Sequence, residues 1–188
     1  TAASQGWMLG NYIMGLENNS TANLFSLAIA LTLPALYVML GCGWLFIKTE
    51  GELYEKAARW ARWTMLPTAL GLFLISIATP IASDAIAKKW FSLPEAIGLL
   101  PIPVTTIIAF LCCLWLLNNE TVRKAGYGVS IYLCMVVICA MCALGLAYSI
   151  YPDIVMGKLS IWETAAATES LQFTFYGVAL AVPMILIY

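Results

Sequence analysis

The chain has 188 residues, of which 62% are hydrophobic and only 10% are charged. Soluble domains carry about 25% charged residues, so this composition excludes an ordinary water-soluble enzyme and a disordered tail. A net charge of −1 supplies no basic field for binding nucleic acid. The sequence contains no histidine, which removes the usual general base and the usual zinc and haem ligand.

Five uncharged apolar stretches, A to E in chain order, predict transmembrane helices. They cover residues 24–47, 63–83, 96–117, 127–151 and 171–188, and every charged residue lies outside them. Crossing a bilayer takes roughly 17–25 apolar residues in a helix, and each stretch is long enough. The sequence therefore predicts an all-α polytopic membrane helix bundle with five transmembrane helices. Because stretch E stops without a polar flank and the chain starts at Thr1, we expect a fragment truncated at both ends.

Basic and aromatic residues indicate how the chain is oriented. Loops A–B and C–D carry six of the nine basic residues: Lys48, Lys56, Arg59, Arg62, Arg123 and Lys124. Loops B–C and D–E carry Lys88, Lys89 and Lys158. Since cytoplasmic loops are enriched in Lys and Arg, we expect the first two loops inside and segment 1–23 outside. The tryptophans fit interfacial belts at the inner ends (Trp44, Trp60, Trp63, Trp115) and in the outer loops (Trp90, Trp162).

Residues 49–62 predict a short juxtamembrane helix that runs into helix B. Thr49 and Glu52 have the spacing of a capping box. Glu52 and Lys56, like Glu55 and Arg59, are i,i+4 pairs in the favourable order. We interpret this segment as a solvated helical face that fixes topology, with contact to anionic lipid as the alternative.

The six cysteines are Cys42, Cys112, Cys113, Cys134, Cys139 and Cys142. Cys139 and Cys142 form a C-x-x-C, but they lie at mid-span without the nearby positive charge that stabilises a thiolate, so packing is the favoured interpretation. Met135 and Met141 are interpreted as core residues rather than haem ligands. Cys139, Ala143 and Ala147 form a small-xxx-small row, which predicts a packing seam on helix D.

Prolines and polar side chains are the other candidates for chemistry. The prolines in or near spans are Pro34, Pro67, Pro80, Pro101, Pro103 and Pro183; kinks are favoured over transporter-like broken helices.

The strongest polar groups within the spans are Thr105, Thr106, Ser130, Tyr132, Gln172, Thr174 and Tyr176. Because none is ionised, a proton relay in this chain is disfavoured. The acidic residues predicted outside are Asp84, Glu95, Asp153, Glu163 and Glu169, which either solubilise loops or serve a quinol headgroup or proton exit.

Three groups of residues carry a resemblance when taken in order. They are KTEGELYEKAARWA (48–61), KWFSLP (89–94) with LPIPV (100–104), and YSIYPDIV (148–155) with LSIWETAA (159–166). This order resembles the C-terminal part of subunit II of the cytochrome bd-type ubiquinol oxidases, including their cyanide-insensitive relatives. The resemblance extends over essentially the whole chain.

The resemblance implies a division of the chain and a set of partners. Residues 1–23 would be an outer segment, 24–62 helix A with the juxtamembrane helix, and 63–188 a four-helix unit of helices B–E. The chain would be a haem-free, non-catalytic subunit in a bacterial inner membrane, in contact with lipid. It would scaffold subunit I, which holds the b- and d-type haems, in an enzyme that oxidises quinol from the quinone pool and reduces dioxygen to water.

No catalytic or metal-binding residue is expected in this chain. Some members of the family hold a structural quinone in subunit II, and no motif here assigns its contacts. A transporter or channel subunit with proline-broken helices, and a purely structural membrane scaffold, are the alternatives.

Overall fold

The computed structural model describes residues 1–82, 84–93, 95–121 and 126–187. Its helices are α1 (Ala2–Ile13), α2 (Ser20–Lys48), α3 (Glu52–Ala82), α4 (Asp84–Phe91), α5 (Glu95–Leu99), α6 (Pro101–Asn118), α7 (Gly128–Ile150), α8 (Ile161–Thr164) and α9 (Thr168–Ile187). Strands β1 (Asp153–Val155) and β2 (Leu159–Ser160) form an antiparallel hairpin that pairs Asp153 with Ser160. The predicted all-α class is therefore correct apart from this hairpin.

Within the described residues, four helices are long and apolar enough to span a membrane: Ser20–Lys48, Glu52–Ile81, Ile97–Asn118 and Gly128–Ile150. They correspond to predicted helices A, B, C and D. Helix α9 forms where helix E was predicted, but it is not among these four. The fifth crossing therefore stays a prediction, as does the grouping of B–E into one unit.

Local signals explain where α2 begins and ends. The side chain of Asn19 accepts a hydrogen bond from the Ala22 amide at 2.7 Å and so caps the first turn. At the other end, the backbone of Thr49 is extended, and its hydroxyl donates to the Leu45 carbonyl at 2.7 Å. The sequence placed Thr49 in a capping box of the next helix, whereas in the structure this hydroxyl closes α2.

The juxtamembrane helix is confirmed, and it is continuous with helix B as α3. The Nζ of Lys56 lies 3.8 Å from a carboxylate oxygen of Glu52, as the i,i+4 spacing predicted. Helix C, by contrast, is divided into α5 and α6 at Leu100, although the backbone of Leu100 stays helical. Its first residues form α5, and α6 starts at Pro101 because a proline, which lacks an amide hydrogen, is best accommodated in the first turn of a helix.

Helix α2 lies at the centre of the packing. It packs against α3, α1 and α7, and α7 in turn packs against α6. The main core is formed by buried residues of these helices: Met39, Cys42, Phe46, Ala57, Ala58, Ala61, Met65, Cys113, Leu117, Ile131, Met135 and Ile138. Three alanines of α3 are fully buried, so α3 approaches its neighbours closely at this end of the bundle.

The short helix α1 packs against the first half of α2 through four small residues. A Cβ on Gly10 would lie 2.5 Å from the Cα of Ser26, and a Cβ on Gly6 would lie 2.7 Å from the Cα of Ala30. The two backbones therefore meet through a G-x-x-x-G row opposite a matching small-residue row. The amide of Met156, beside the hairpin, donates to the Tyr12 carbonyl at 3.1 Å and ties the hairpin to α1.

Helix α9 differs from all of these. Every residue of α9 for which the structure describes burial is exposed, including Phe173, Phe175 and Leu180. The helix is apolar along most of its length, so its surface must be covered by lipid or by another chain.

Candidate functional site

Most of the threonine hydroxyls within the spans are bonded to their own helices, whereas the Ser26 hydroxyl of α2 donates to the Asn11 side chain of α1 at 3.4 Å. Thr106 donates to the Ile102 carbonyl at 2.8 Å, and Thr174 donates to the Ser170 carbonyl at 2.9 Å. Thr32, Thr68 and Thr79 make the same i−4 contact. These protons are held by carbonyls of the same helix, and the arrangement does not form a hydroxyl relay along the described spans.

The cysteines that lie beside each other in the structure are not the C-x-x-C pair that the sequence spacing suggested. All six thiols are free. Cys112 of α6 and Cys134 of α7 lie beside each other across the helix interface, next to buried Cys113. Cys139 and Cys142, the C-x-x-C pair, pack against the main core, as the packing interpretation expected. The cross-helix pair was missed because residue spacing within one helix says nothing about a neighbour on another.

The residues present do not fit a haem. The usual His ligand is absent from the sequence. Met135 is fully buried, and a Cβ on Gly43 would lie 2.8 Å from its sulfur, so the thioether is enclosed between α2 and α7. Within the described residues, no group of three or more His, Cys, Asp or Glu could hold a metal ion.

The prolines leave the long helices uninterrupted. Pro34 lies inside α2, Pro67 and Pro80 lie inside α3, and Pro183 lies inside α9. The only interruption at a proline in the described part falls before Pro101, at the end of a span rather than at mid-membrane. This placement favours kinks over the midplane breaks that transporters use.

Two of the acidic residues predicted on the outer side have local structural roles. Asp153 accepts a hydrogen bond from the Gly157 amide at 3.0 Å within the hairpin loop. Glu163 accepts one from the Ser160 amide at 3.1 Å in a capping box that starts α8. Glu169 lies in the first turn of α9. The side chains of Asp84 and Glu95 lie outside the described residues.

An apolar groove of about 580 Å³ lies between α2 and α7 on one side of the bundle. Its lining is Leu40, Gly41 and Trp44 from α2 and Tyr132, Val136, Cys139, Ala140 and Ala143 from α7. Two members of the predicted small-residue row, Cys139 and Ala143, thus line an open groove, and Cys139 also contacts the main core. Ala147, one turn further along, is exposed and lies outside the lining.

One end of this α2–α7 groove carries aromatic rings and a cation. The rings of Trp44 and Tyr132 meet edge to face, with centroids 5.8 Å apart. The Nζ of Lys48 lies 5.2 Å from the centre of the Trp44 ring, in a cation–π contact. The groove therefore has a polar end and an apolar body.

Sequence reasoning missed the two most informative packing features. The G-x-x-x-G of Gly6 and Gly10 was visible as a small-residue row, but it lies in a segment that was taken only as an outer extension. The groove could not be found from spacing, because Gly41 and Ala143 come together only when α2 packs beside α7.

Comparison with known families identifies the chain. The profile described as cytochrome bd terminal oxidase subunit II matches residues 1–188, its whole length. Comparison with individually curated proteins gives no match. With its four apolar span-length helices, the chain is a multi-pass membrane protein of respiratory electron transport, and it belongs to the cytochrome bd terminal oxidase subunit II family.

Proposed function

We propose that this chain is the haem-free subunit of a bd-type quinol oxidase and that it scaffolds a haem-bearing subunit I in a bacterial inner membrane. The family match over residues 1–188 carries the proposal, because that family supplies one subunit of a quinol oxidase complex. The complex oxidises quinol and reduces dioxygen to water. In this proposal, haems b and d and the redox steps belong to subunit I.

The chemistry of the residues supports a non-catalytic role. The chain has no histidine to ligate haem iron, and the spans contain no ionised side chain to carry protons at depth. The hydroxyls of Thr68 and Thr106 donate to carbonyls of their own helices. A chain of this kind contributes a packing surface to the complex rather than reacting groups.

The exposed apolar surface supports a partner. Helix α9 buries none of its described side chains in this chain, and α6 exposes Ile107, Ile108 and Leu111. Within a bilayer, lipid gives no hydrophobic drive for helix association, so a partner must be held by close packing and interhelical hydrogen bonds. We therefore expect assembly to depend on shape matching along these helices.

A visible absorption spectrum of the gently solubilised native complex, isolated through a tag on this chain, tests the proposal. We expect haem bands to co-elute with the chain together with a second, larger polypeptide. Flux of a solute in liposomes that contain this polypeptide alone, with no haem in its complex, would instead establish the transporter alternative. A complex with neither haem nor flux would indicate a purely structural scaffold.

A further inference from the structure

We propose that the α2–α7 groove binds one anionic phospholipid, with hydrocarbon lying between the two helices and the phosphate at Lys48. The groove has the two properties that such a ligand requires. Its body is apolar, and among the described residues Lys48 places a cation beside its aromatic end, where α2 ends.

The length of the groove matches one leaflet. From Tyr132 to Ala143 the lining of α7 covers twelve residues, whose intervals of 1.5 Å add up to about 16 Å. Half of a hydrocarbon core of roughly 30 Å is about 15 Å. On the α7 side the groove is therefore about as long as one leaflet of hydrocarbon is deep, which suits an acyl chain.

The cross-section of the groove favours hydrocarbon over a helix. About 580 Å³ distributed over about 16 Å gives a mean cross-section of about 36 Å². A helix about 10 Å in diameter has a cross-section of about 80 Å². The groove is too narrow to enclose a helix. Gly41, Cys139 and Ala140 line it with small, apolar groups, which suit a chain of methylenes.

Charge selects the headgroup. Within the described residues, no carboxylate oxygen lies within 4.0 Å of the Lys48 Nζ, so its ammonium group can donate to a phosphate. Trp44 beside it is 51% exposed. Indole and phenol rings are enriched at the level of the lipid headgroups. A Lys near an anionic lipid surface contributes about 1 kcal/mol, which corresponds to about a fivefold preference for an anionic lipid over a zwitterionic one.

The test uses native mass spectrometry of the complete purified complex, delipidated in detergent and then supplied with phosphatidylglycerol and phosphatidylcholine of equal acyl length. We expect the wild type to bind phosphatidylglycerol about fivefold better. Lys48→Gln should abolish this preference, and Ala143→Leu should fill the groove and reduce binding of both lipids.

Two matched variants serve as controls. Lys56→Gln removes a charge from the adjacent segment, from a side chain already paired with Glu52, and should keep the preference. Ala147→Leu adds the same bulk one turn beyond the lining and should keep binding. The proposal is overturned if Lys48→Gln and Lys56→Gln show the same lipid preference, or if Ala143→Leu binds lipid like the wild type. It is also overturned if extraction of the native complex yields a quinone, and only Ala143→Leu among these variants loses that quinone.

Discussion

Helices α2 and α9 are both apolar and both contain a proline, yet only α2 is packed within this chain. Helix α2 buries residues such as Met39 and Cys42, whereas α9 exposes every side chain whose burial is described. Ser26 and Ala30 of α2 lie opposite the glycines of α1, whereas a Cβ on Gly177 of α9 would meet no atom within 4 Å. Both helices are apolar, so hydrophobicity does not distinguish them; close approach of backbones accompanies packing only in α2.

The comparison predicts its largest effect at a buried methionine of α2. Met39 is 0% exposed, and Met39→Ala should lower the free energy of unfolding by about 2–5 kcal/mol, because it leaves a cavity in the main core. Met184 of α9 is 67% exposed, so Met184→Ala should change it by less than about 0.5 kcal/mol. Denaturant titration of the purified chain in mixed micelles measures both variants, and equal losses would show that α9 is packed.

A smaller loss is expected where α1 meets α2. Gly10→Val places a branched side chain against the backbone of Ser26 and should cost about 1–3 kcal/mol through overpacking. The expected readout is faster amide hydrogen exchange over residues 2–13. In α9 a Cβ on Gly177 meets no atom within 4 Å, so Gly177→Val is the control. Unchanged exchange in Gly10→Val would contradict the close packing of α1 on α2.

The smallest effect is expected at an interhelical hydrogen bond. The indole nitrogen of Trp90 donates to the Ser149 hydroxyl at 3.2 Å and links α4 to α7. Ser149→Ala should cost about 0.6 kcal/mol, a typical value for such bonds in membranes, and should speed amide exchange in α4. Thr174→Ala in α9 removes a hydroxyl that bonds only within its own helix and should leave exchange in α4 unaltered.

The sequence predicted the helices well and their packing poorly. Charge placement located helices A, C and D to within about four residues, because crossing a bilayer requires long uncharged stretches. Helix B begins earlier than its uncharged stretch, at Glu52, because the juxtamembrane helix is continuous with it. The sequence also predicted the juxtamembrane helix through Glu52 and Lys56. It missed α1, whose twelve residues are too short to be recognised as a span, and it assigned Thr49 to the wrong helix end.

The candidate site could be anticipated only in part. Cys139 and Ala143 were identified as a small-residue face, but their neighbours Gly41 and Trp44 lie about 100 residues away in the sequence. The proximity of Cys112 to Cys134 depends on the rotational orientation of α6 relative to α7, which the positions of the cysteines in the sequence do not determine. Contacts between helices depend on register and rotation, and a single sequence does not fix either.

The most direct test of the account is the distribution of haem between separated subunits. The native complex, isolated through this chain, is dissociated into its polypeptides under conditions that retain haem, and the haem in each fraction is measured by its absorbance bands. We predict that all the haem remains with the partner and that this chain, which has no histidine, carries none. Haem bound in stoichiometric amount to this chain would contradict the account.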